Sequence, residues 1–400
     1  MKKFLEKYIR LGLLLLFAIT IPNSIAISNI ALGLLVLYWI FLGDKKETFY
    51  ILKTNPIAFL SVLFYFTYVI SLLWSQELEW GLYILKKEVI FLFVPILMSL
   101  IKENERDLLI KSFIVSMTFS EIISYSIHFK LIPPMFHATP YDPSPFMSHV
   151  HYNPFLAFTI YLLVFYYLST KESKIIKYIS LIFIITMSIN LFITGGRAGQ
   201  IAFFVMLIVI FIQFFNKNIK NILVLIVLLG LIFGIAYNSS TIFKNRVNQT
   251  IYNLKNFNKN SNTSIGKRIV YWKNTIELIQ KHPIGGVGVG DFKNEYRKIH
   301  FKNSPSIIIH GDHPHNMYLF VWGCSGLLGL FALLAILIVG FIISVRSKSK
   351  YSKAQMALIV LFSVIMFSDC YLLGHYSKFF FVFFVAVLFK DAKWEDLKKS

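Results

Sequence analysis

The sequence predicts an all-α polytopic membrane protein, and three observations carry that class. Of 400 residues, 56% are hydrophobic and only 15% are charged, against roughly 25% charged in an ordinary soluble domain. Long apolar runs recur, among them LGLLLLFAIT, NILVLIVLLGLIFGIAY and GLLGLFALLAILIVGFIISV. Their lengths approach the roughly 20 residues that a helix needs to cross a bilayer core. The runs are continuous rather than alternating, so helices and not barrel strands satisfy the backbone in lipid.

About twelve transmembrane helices follow in order. The first two, 8–23 and 26–43, make a hairpin. Its start, MKKFLEKYIR, has the look of a signal peptide, but NIALGLLVLYWIFLG follows almost at once, so the pair is read as uncleaved. Apolar runs then mark 55–74, 86–101, 107–128, 151–169, 175–193, 197–215 and 220–237. The last three are 317–344, 354–371 and 376–390. The tenth is too long for one simple crossing, and its first turns, HNMYLFVW, are expected along the interface. The chain thus divides into helices one to nine (1–237), a large outer loop (238–316) and helices ten to twelve (317–400).

Lysine and arginine placement fixes the expected orientation. With the N-terminus inside, the inner segments hold Lys2, Lys3, Lys7 and Arg10, then Lys45, Lys46 and Lys53, then Lys102, Arg106 and Lys111. They also hold Lys171, Lys174 and Lys177, the pair Lys217 and Lys220, and the group Arg346, Lys348, Lys350 and Lys353. The short outer loops hold only Lys86, Lys87, Lys130, Arg197 and Lys378. Both termini are therefore expected in the cytoplasm. The outer loop 238–316 carries twelve Lys or Arg, but long loops escape the rule, so its basic character asks for another reason. All ten histidines, including His128, His137, His282, His300 and His375, fall on or beside the outer face. Acid–base chemistry is expected there.

Five constellations carry candidate chemistry. TGGRAGQ, Thr194 to Gln200, puts Arg197 at the outer N-terminus of a helix, where free N–H groups, the helix dipole and a guanidinium favour a phosphate. An interfacial arginine snorkelling to water reads equally well. GKRIVYWKNTIELIQKHPIGGVGVGDF predicts a helix with Ile269, Trp272, Ile276 and Ile279 on one stripe and Arg268 beside it, ended by Pro283. GGVGVG after it, with Gly286, is not a dinucleotide loop, because no strand precedes it. A turn that brings backbone close to a ligand or membrane, or simply a tight loop, is expected. IIHGDHPHNMYLF holds His310, Asp312, His313 and His315. Their spacing fits no common zinc pattern, so a zinc site is the lesser reading beside a polar loop or a neutral His acting as general base. FMSHVHYNPF supplies His149, His151 and Asn153. Lys86 and Lys87 run against the charge rule and suggest an anionic partner or headgroup contacts. Asp369 and His375 flank the last outer turn, and Glu121, inside the fifth helix, is expected to face the bundle interior. Cys324 and Cys370 make no zinc or redox pattern and are expected as buried thiols.

These pieces in this order resemble the O-antigen ligase and O-antigen polymerase superfamily. The family's glycine–arginine turn appears as GGRAG, without the serine common before the arginine. Its Pro–Gly motif appears as HPIGGVGVGDF and its outer His–Asn motif as HPHN. The ligase form, His-Asn, two residues, Leu, six residues, Gly, matches His315, Asn316, Leu319 and Gly326. The resemblance implies a GT-C-like membrane glycosyltransferase of the bacterial inner membrane with a periplasmic-face active site. The donor would be a glycan on undecaprenyl diphosphate and the acceptor the lipid A core oligosaccharide, among membrane lipids and without nucleic acid, metal or other cofactor. Arg197 and Arg268 would hold the diphosphate and His315 would be the base or a positioning group. Lys86, Lys87, His149, His151, Asn316, Gly286 and His313 would contact substrate. An O-antigen repeat polymerase or a protein O-oligosaccharyltransferase of the same superfamily is the alternative, and a transporter or flippase the remaining one.

Overall fold

The computed structural model describes residues 2–136, 138–170, 172–257, 261–307, 309 and 311–398. His137, Lys171 and His310 lie outside the described residues. Among the described residues the chain is helical, with one isolated β-bridge between Thr139 and Asp142. In order the helices are α1 (Lys2–Thr20), α2 (Ile25–Leu42), α3 (Lys45–Thr54), α4 (Pro56–Ser71), α5 (Leu78–Glu88) and α6 (Phe93–Leu100). Then come α7 (Arg106–His128), α8 (His149–Ser169), α9 (Lys174–Ile193), α10 (Arg197–Phe214) and α11 (Ile219–Ser239). The segment expected as the outer loop holds α12 (Thr241–Lys255), α13 (Ser264–Lys281) and α14 (Phe292–Asn303). Last are α15 (Met317–Arg346), α16 (Ser352–Ile365) and α17 (His375–Leu388).

Eight helical segments among the described residues are long and apolar enough to cross a membrane. They correspond to eight of the twelve expected spans. The other four fall short for identifiable reasons. α1 carries Lys2, Lys3, Glu6, Lys7 and Arg10 in its first half. The span expected at 86–101 is broken: α5 stops at Glu88, a 3-10 turn covers Val89–Leu92, and α6 has only eight residues. α16 and α17 have 14 residues each, about 21 Å of helix against a core of about 30 Å. α16 ends at Ile365, so Asp369 sits in the turn after it.

The chain packs as two compact units. One comprises Met1–Leu42, Ile101–Asn248 and Lys350–Leu361; the other comprises Gly43–Leu100, Gln249–Ser349 and Phe362–Ser400. The first unit is tied at its lysine-rich end by a buried bidentate pair, Arg10 on Glu105 at 2.7 and 2.5 Å. Asp107 adds bonds from Lys350, Tyr351 and Tyr166 at 2.8, 2.9 and 3.1 Å. Its interior holds a polar layer, as expected for an intramembrane carboxyl. Glu121 is 1% exposed, on the helix whose Ser124 bonds Asn190, which also accepts from Tyr152.

The second unit is organised around a break in α15. Gly326 has φ +62° inside that helix, so the carbonyls before it lose their helical partners. The GGVGVG loop supplies replacements. Val287 N–H donates to the Gly323 carbonyl at 2.9 Å and Gly288 N–H to the Cys324 carbonyl at 3.0 Å, while Leu327 N–H returns a bond to the Ile284 carbonyl at 2.9 Å. Only glycine serves at these contacts. A Cβ on Gly286, itself at φ +68°, would lie 2.7 Å from the Cys324 carbonyl, and one on Gly326 would lie 2.5 Å from the carbonyl carbon of Gly285. Cys324 and Cys370 are both buried thiols.

Candidate active site

The site in the second unit starts at the N-terminus of α15. Asn316 caps this helix, its side chain accepting from Leu319 N–H at 3.1 Å. The two motif positions that the sequence singles out beside His315 are thereby a helix cap and its target. His315, just before the cap, is held at φ +51°. That conformation is uncommon outside glycine, and such strain concentrates at functional sites. The His315 ring stacks on buried Tyr271 of α13, with centroids 5.9 Å apart and planes 20° apart. Arg268 lies one turn before Tyr271 on the same helix, and its charge reaches Tyr371 in the turn before α17.

His315 Nδ1 lies 3.1 Å from Asp369 Oδ1. The same oxygen accepts from Cys370 N–H at 2.7 Å. Burial raises the Asp369 pKa, but the His315 hydrogen bond, the nearby charges of His315 and His313 and the Cys370 N–H outweigh it, and the carboxyl is held down to about 2. At neutral pH Asp369 is therefore a carboxylate and can only accept. The shared hydrogen belongs on His315 Nδ1.

His313 packs edge-on to His315 with centroids 4.6 Å apart, and its Nδ1 accepts from His315 N–H at 3.3 Å. Burial pushes its pKa down to about 4, with the charges of His315 and Lys87 pushing the same way against the pull of Asp369 and Asp312. It is neutral at pH 7. Asp312 accepts from Arg297 at 2.5 Å, with Lys293 at 3.4 Å, which ties the loop to α14. His300 is fully buried: its Nε2–H donates to the Ile307 carbonyl at 2.7 Å and its Nδ1 accepts from Asn274 at 3.1 Å. It is a structural histidine. His313, Asp369 and Cys370 place donor atoms within 4.8 Å of one another. However, Asp369 is already engaged by His315 and Cys370 N–H, and burial holds the Cys370 thiol well above its usual range, which disfavours a thiolate ligand.

Lys86 and Lys87 sit in the last turn of α5, not inside a span. Lys87 lies over the Tyr83 ring at 4.6 Å, and its carbonyl accepts from buried Lys378 at 2.6 Å. Gly286 packs against the α15 break described above. Of the stripe expected on α13, Ile279 is buried, Ile269 and Trp272 are half-buried and Ile276 is 44% exposed; the helix also buries Gly266, Val270, Tyr271, Asn274, Thr275 and Leu278.

The first unit holds the arginine turn. Arg197 is the first residue of α10 and is half-buried. Asn153 staples the turn: its Nδ2 donates to the Leu191 and Gly196 carbonyls, both at 3.2 Å, and its Oδ1 accepts from Thr194 at 2.6 Å. The glycines are there for packing, since a Cβ on Gly196 would lie 2.5 Å from the His149 carbonyl and one on Gly199 would strike Asn153. Asp142 takes Gly195 N–H at 3.1 Å and His149 Nδ1 at 2.5 Å. Burial raises its pKa, but His149, the Gly195 N–H and Arg246 lower it further, leaving it below the ordinary carboxylate value. Arg246 of α12 lies over the turn, its Nη2 2.9 Å from where a Gly195 Cβ would be. His151 is half-buried in the first turn of α8. Thus Arg197 and His149 share one unit, and Arg268, His313, His315, Asn316, Gly286, Lys86 and Lys87 share the other.

Among the described residues, a helical architecture with eight candidate spans and a charged, histidine-bearing loop region defines a polytopic membrane protein. Residues 181–334 match the family model described as O-antigen ligase, which bears out the resemblance read from GGRAG, HPIGGVGVGDF and HPHN. This match supports the wider superfamily of ligases and polymerases, and Arg197, Arg268 and His315 lie within its bounds. A protein of Haemophilus influenzae described as uncharacterized is 24% identical over 351 residues, covering 82% of each chain.

Proposed function

We propose that this protein is an O-antigen ligase, which transfers a glycan from undecaprenyl diphosphate to the lipid A core oligosaccharide at the periplasmic face of the inner membrane, with both termini cytoplasmic. The observation that carries the reading is the Asp369–His315 pair, whose histidine stands just before α15 inside the segment that matches the family and whose aspartate comes from the turn after α16, beyond it. In this mechanism His315 Nε2 takes the proton of an acceptor hydroxyl as its oxygen attacks the anomeric carbon. The bond from that carbon to the diphosphate breaks, undecaprenyl diphosphate leaves, and the configuration inverts. Asp369 keeps the ring in the right tautomer and stabilises the imidazolium that forms. Charge grows on the leaving diphosphate, and Arg197 and Arg268 are assigned to stabilise it. Lys86, Lys87, His149, His151, His313, Asn316 and Gly286 are assigned to substrate contacts or their support.

Deleting the gene and examining the lipopolysaccharide tests the reading. Loss of a ligase leaves bare core and accumulates long glycans on the lipid carrier. A core capped with a single repeat would identify a polymerase instead, and unaltered lipopolysaccharide with unglycosylated protein would identify a protein-directed transferase. His315→Ala, Arg197→Ala and Arg268→Ala are each expected to abolish capping while the protein still inserts.

A further inference from the structure

A cleft of about 290 Å³ opens in the first unit between α7, α8 and α9. Ile114, Leu163, Ile179 and Phe183 line it, and one end carries Lys111 and Lys177. The two lysines stand over tyrosine rings, Lys111 5.3 Å from Tyr166 and Lys177 5.5 Å from Tyr167. Glu172 pairs with Lys111 at 2.8 Å. Lys177 has no carboxylate partner among the described residues. The outward face of α9 beside the cleft is apolar and exposed, with Ile176 46% and Ile179 48% exposed.

A narrow apolar cleft with a cationic mouth matches a molecule with an acyl chain and an anionic head. We propose that this cleft is a binding site for one anionic phospholipid, its acyl chain between α7 and α9 and its headgroup phosphate at Lys177 and Lys111. The lipid carrier of the donor does not fit the same description. Its diphosphate is assigned to Arg197, whereas Lys177 lies at the other end of α9, 16 residues before Ile193. That is about 24 Å along the helix, so one phosphate group does not serve both ends. An anion held at this mouth is therefore a second one, at the end of α9 opposite the donor's diphosphate. The site is independent of the transfer reaction.

The test uses the purified full-length protein in neutral detergent and reads its unfolding temperature. Phosphatidylglycerol is expected to raise it by several degrees and phosphatidylcholine with the same chains not to. The double variant Lys111→Ala/Lys177→Ala, its own unfolding temperature without lipid taken as the baseline, is expected to lose the phosphatidylglycerol shift. Ser180→Trp, which fills the cleft from α9, is expected to lose it as well. Equal shifts from both lipids, or a full shift in the lysine double variant, would overturn the proposal. So would a shift from undecaprenyl phosphate that the lysine variant keeps, since the cleft would then hold the carrier's tail.

Discussion

The molecule contains two Asp–His pairs, one in each packing unit, and they are built differently. Asp142 and His149 are seven residues apart, and their contact is 2.5 Å. The carboxylate also takes Gly195 N–H and lies beside Arg246, so the pair fastens a loop to the turn that presents Arg197. Asp369 and His315 are 54 residues apart at 3.1 Å. There the histidine is in a left-handed backbone conformation, stacked on a buried tyrosine and beside a second histidine held neutral. The same two side chains thus make a brace in one place and, in the proposed mechanism, an oriented base in the other. Both carboxylates also take a backbone N–H, Asp142 that of Gly195 and Asp369 that of Cys370. What differs is that Asp142 lies beside Arg246 and braces a distant turn, whereas Asp369 takes the N–H of its own neighbour and reaches across the chain to an imidazole.

Substitutions can break this comparison. The largest effect is expected from His315→Ala, which should lower kcat for glycan transfer by about 10²–10⁴-fold, the usual contribution of a positioned base. His149→Ala should instead raise the donor KM with kcat nearly kept. Asp369→Asn should lower kcat by about 10–100-fold, corresponding to the roughly 1.5–3 kcal/mol of a hydrogen bond to a charged group. Next comes Gly326→Ala, which should cost at least about 1–3 kcal/mol of stability, the range for a strained backbone position, because α15 must break there against Gly285. A thermal unfolding series in detergent reads it directly.

The smallest effect concerns pH. His313 is held at about 4, below the ordinary histidine value near 6.5. The unfolded chain therefore binds a proton at His313 that the folded chain refuses between those values. Its contribution is fully present above about pH 6.5 and lost as pH falls toward about 4. His313→Gln should flatten the stability–pH curve in that window. Asp369, held at about 2, adds stability that is lost only below about pH 4, where carboxylates ordinarily titrate, so the two groups are separable.

The sequence made some of this legible and hid the rest for physical reasons. His315, Asn316 and Leu319 form a local cap, and local caps are readable from spacing. The apolar runs marked every long helix, but not that 86–101 would break or that α16 and α17 would be short, because hydropathy does not record where packing interrupts a helix. The glycines of GGVGVG and GGRAG were visible, yet their function as contact points for α15 and α8 depends on partners far along the chain. Asp369 was visible only as an acid at the last outer turn. Its pairing with His315 spans 54 residues, and no periodicity encodes that. Arg246, in a loop rich in basic residues, carried no local mark at all.

The central claim is that the Asp369–His315 pair and not the Asp142–His149 pair does the acid–base work. Single-turnover transfer with the purified protein, donor lipid and core acceptor tests it most directly, comparing His315→Ala with His149→Ala at saturating donor. The account expects the first to stop the chemical step and the second to proceed at nearly the wild-type rate. A normal single-turnover rate in His315→Ala, with loss in His149→Ala, would contradict it.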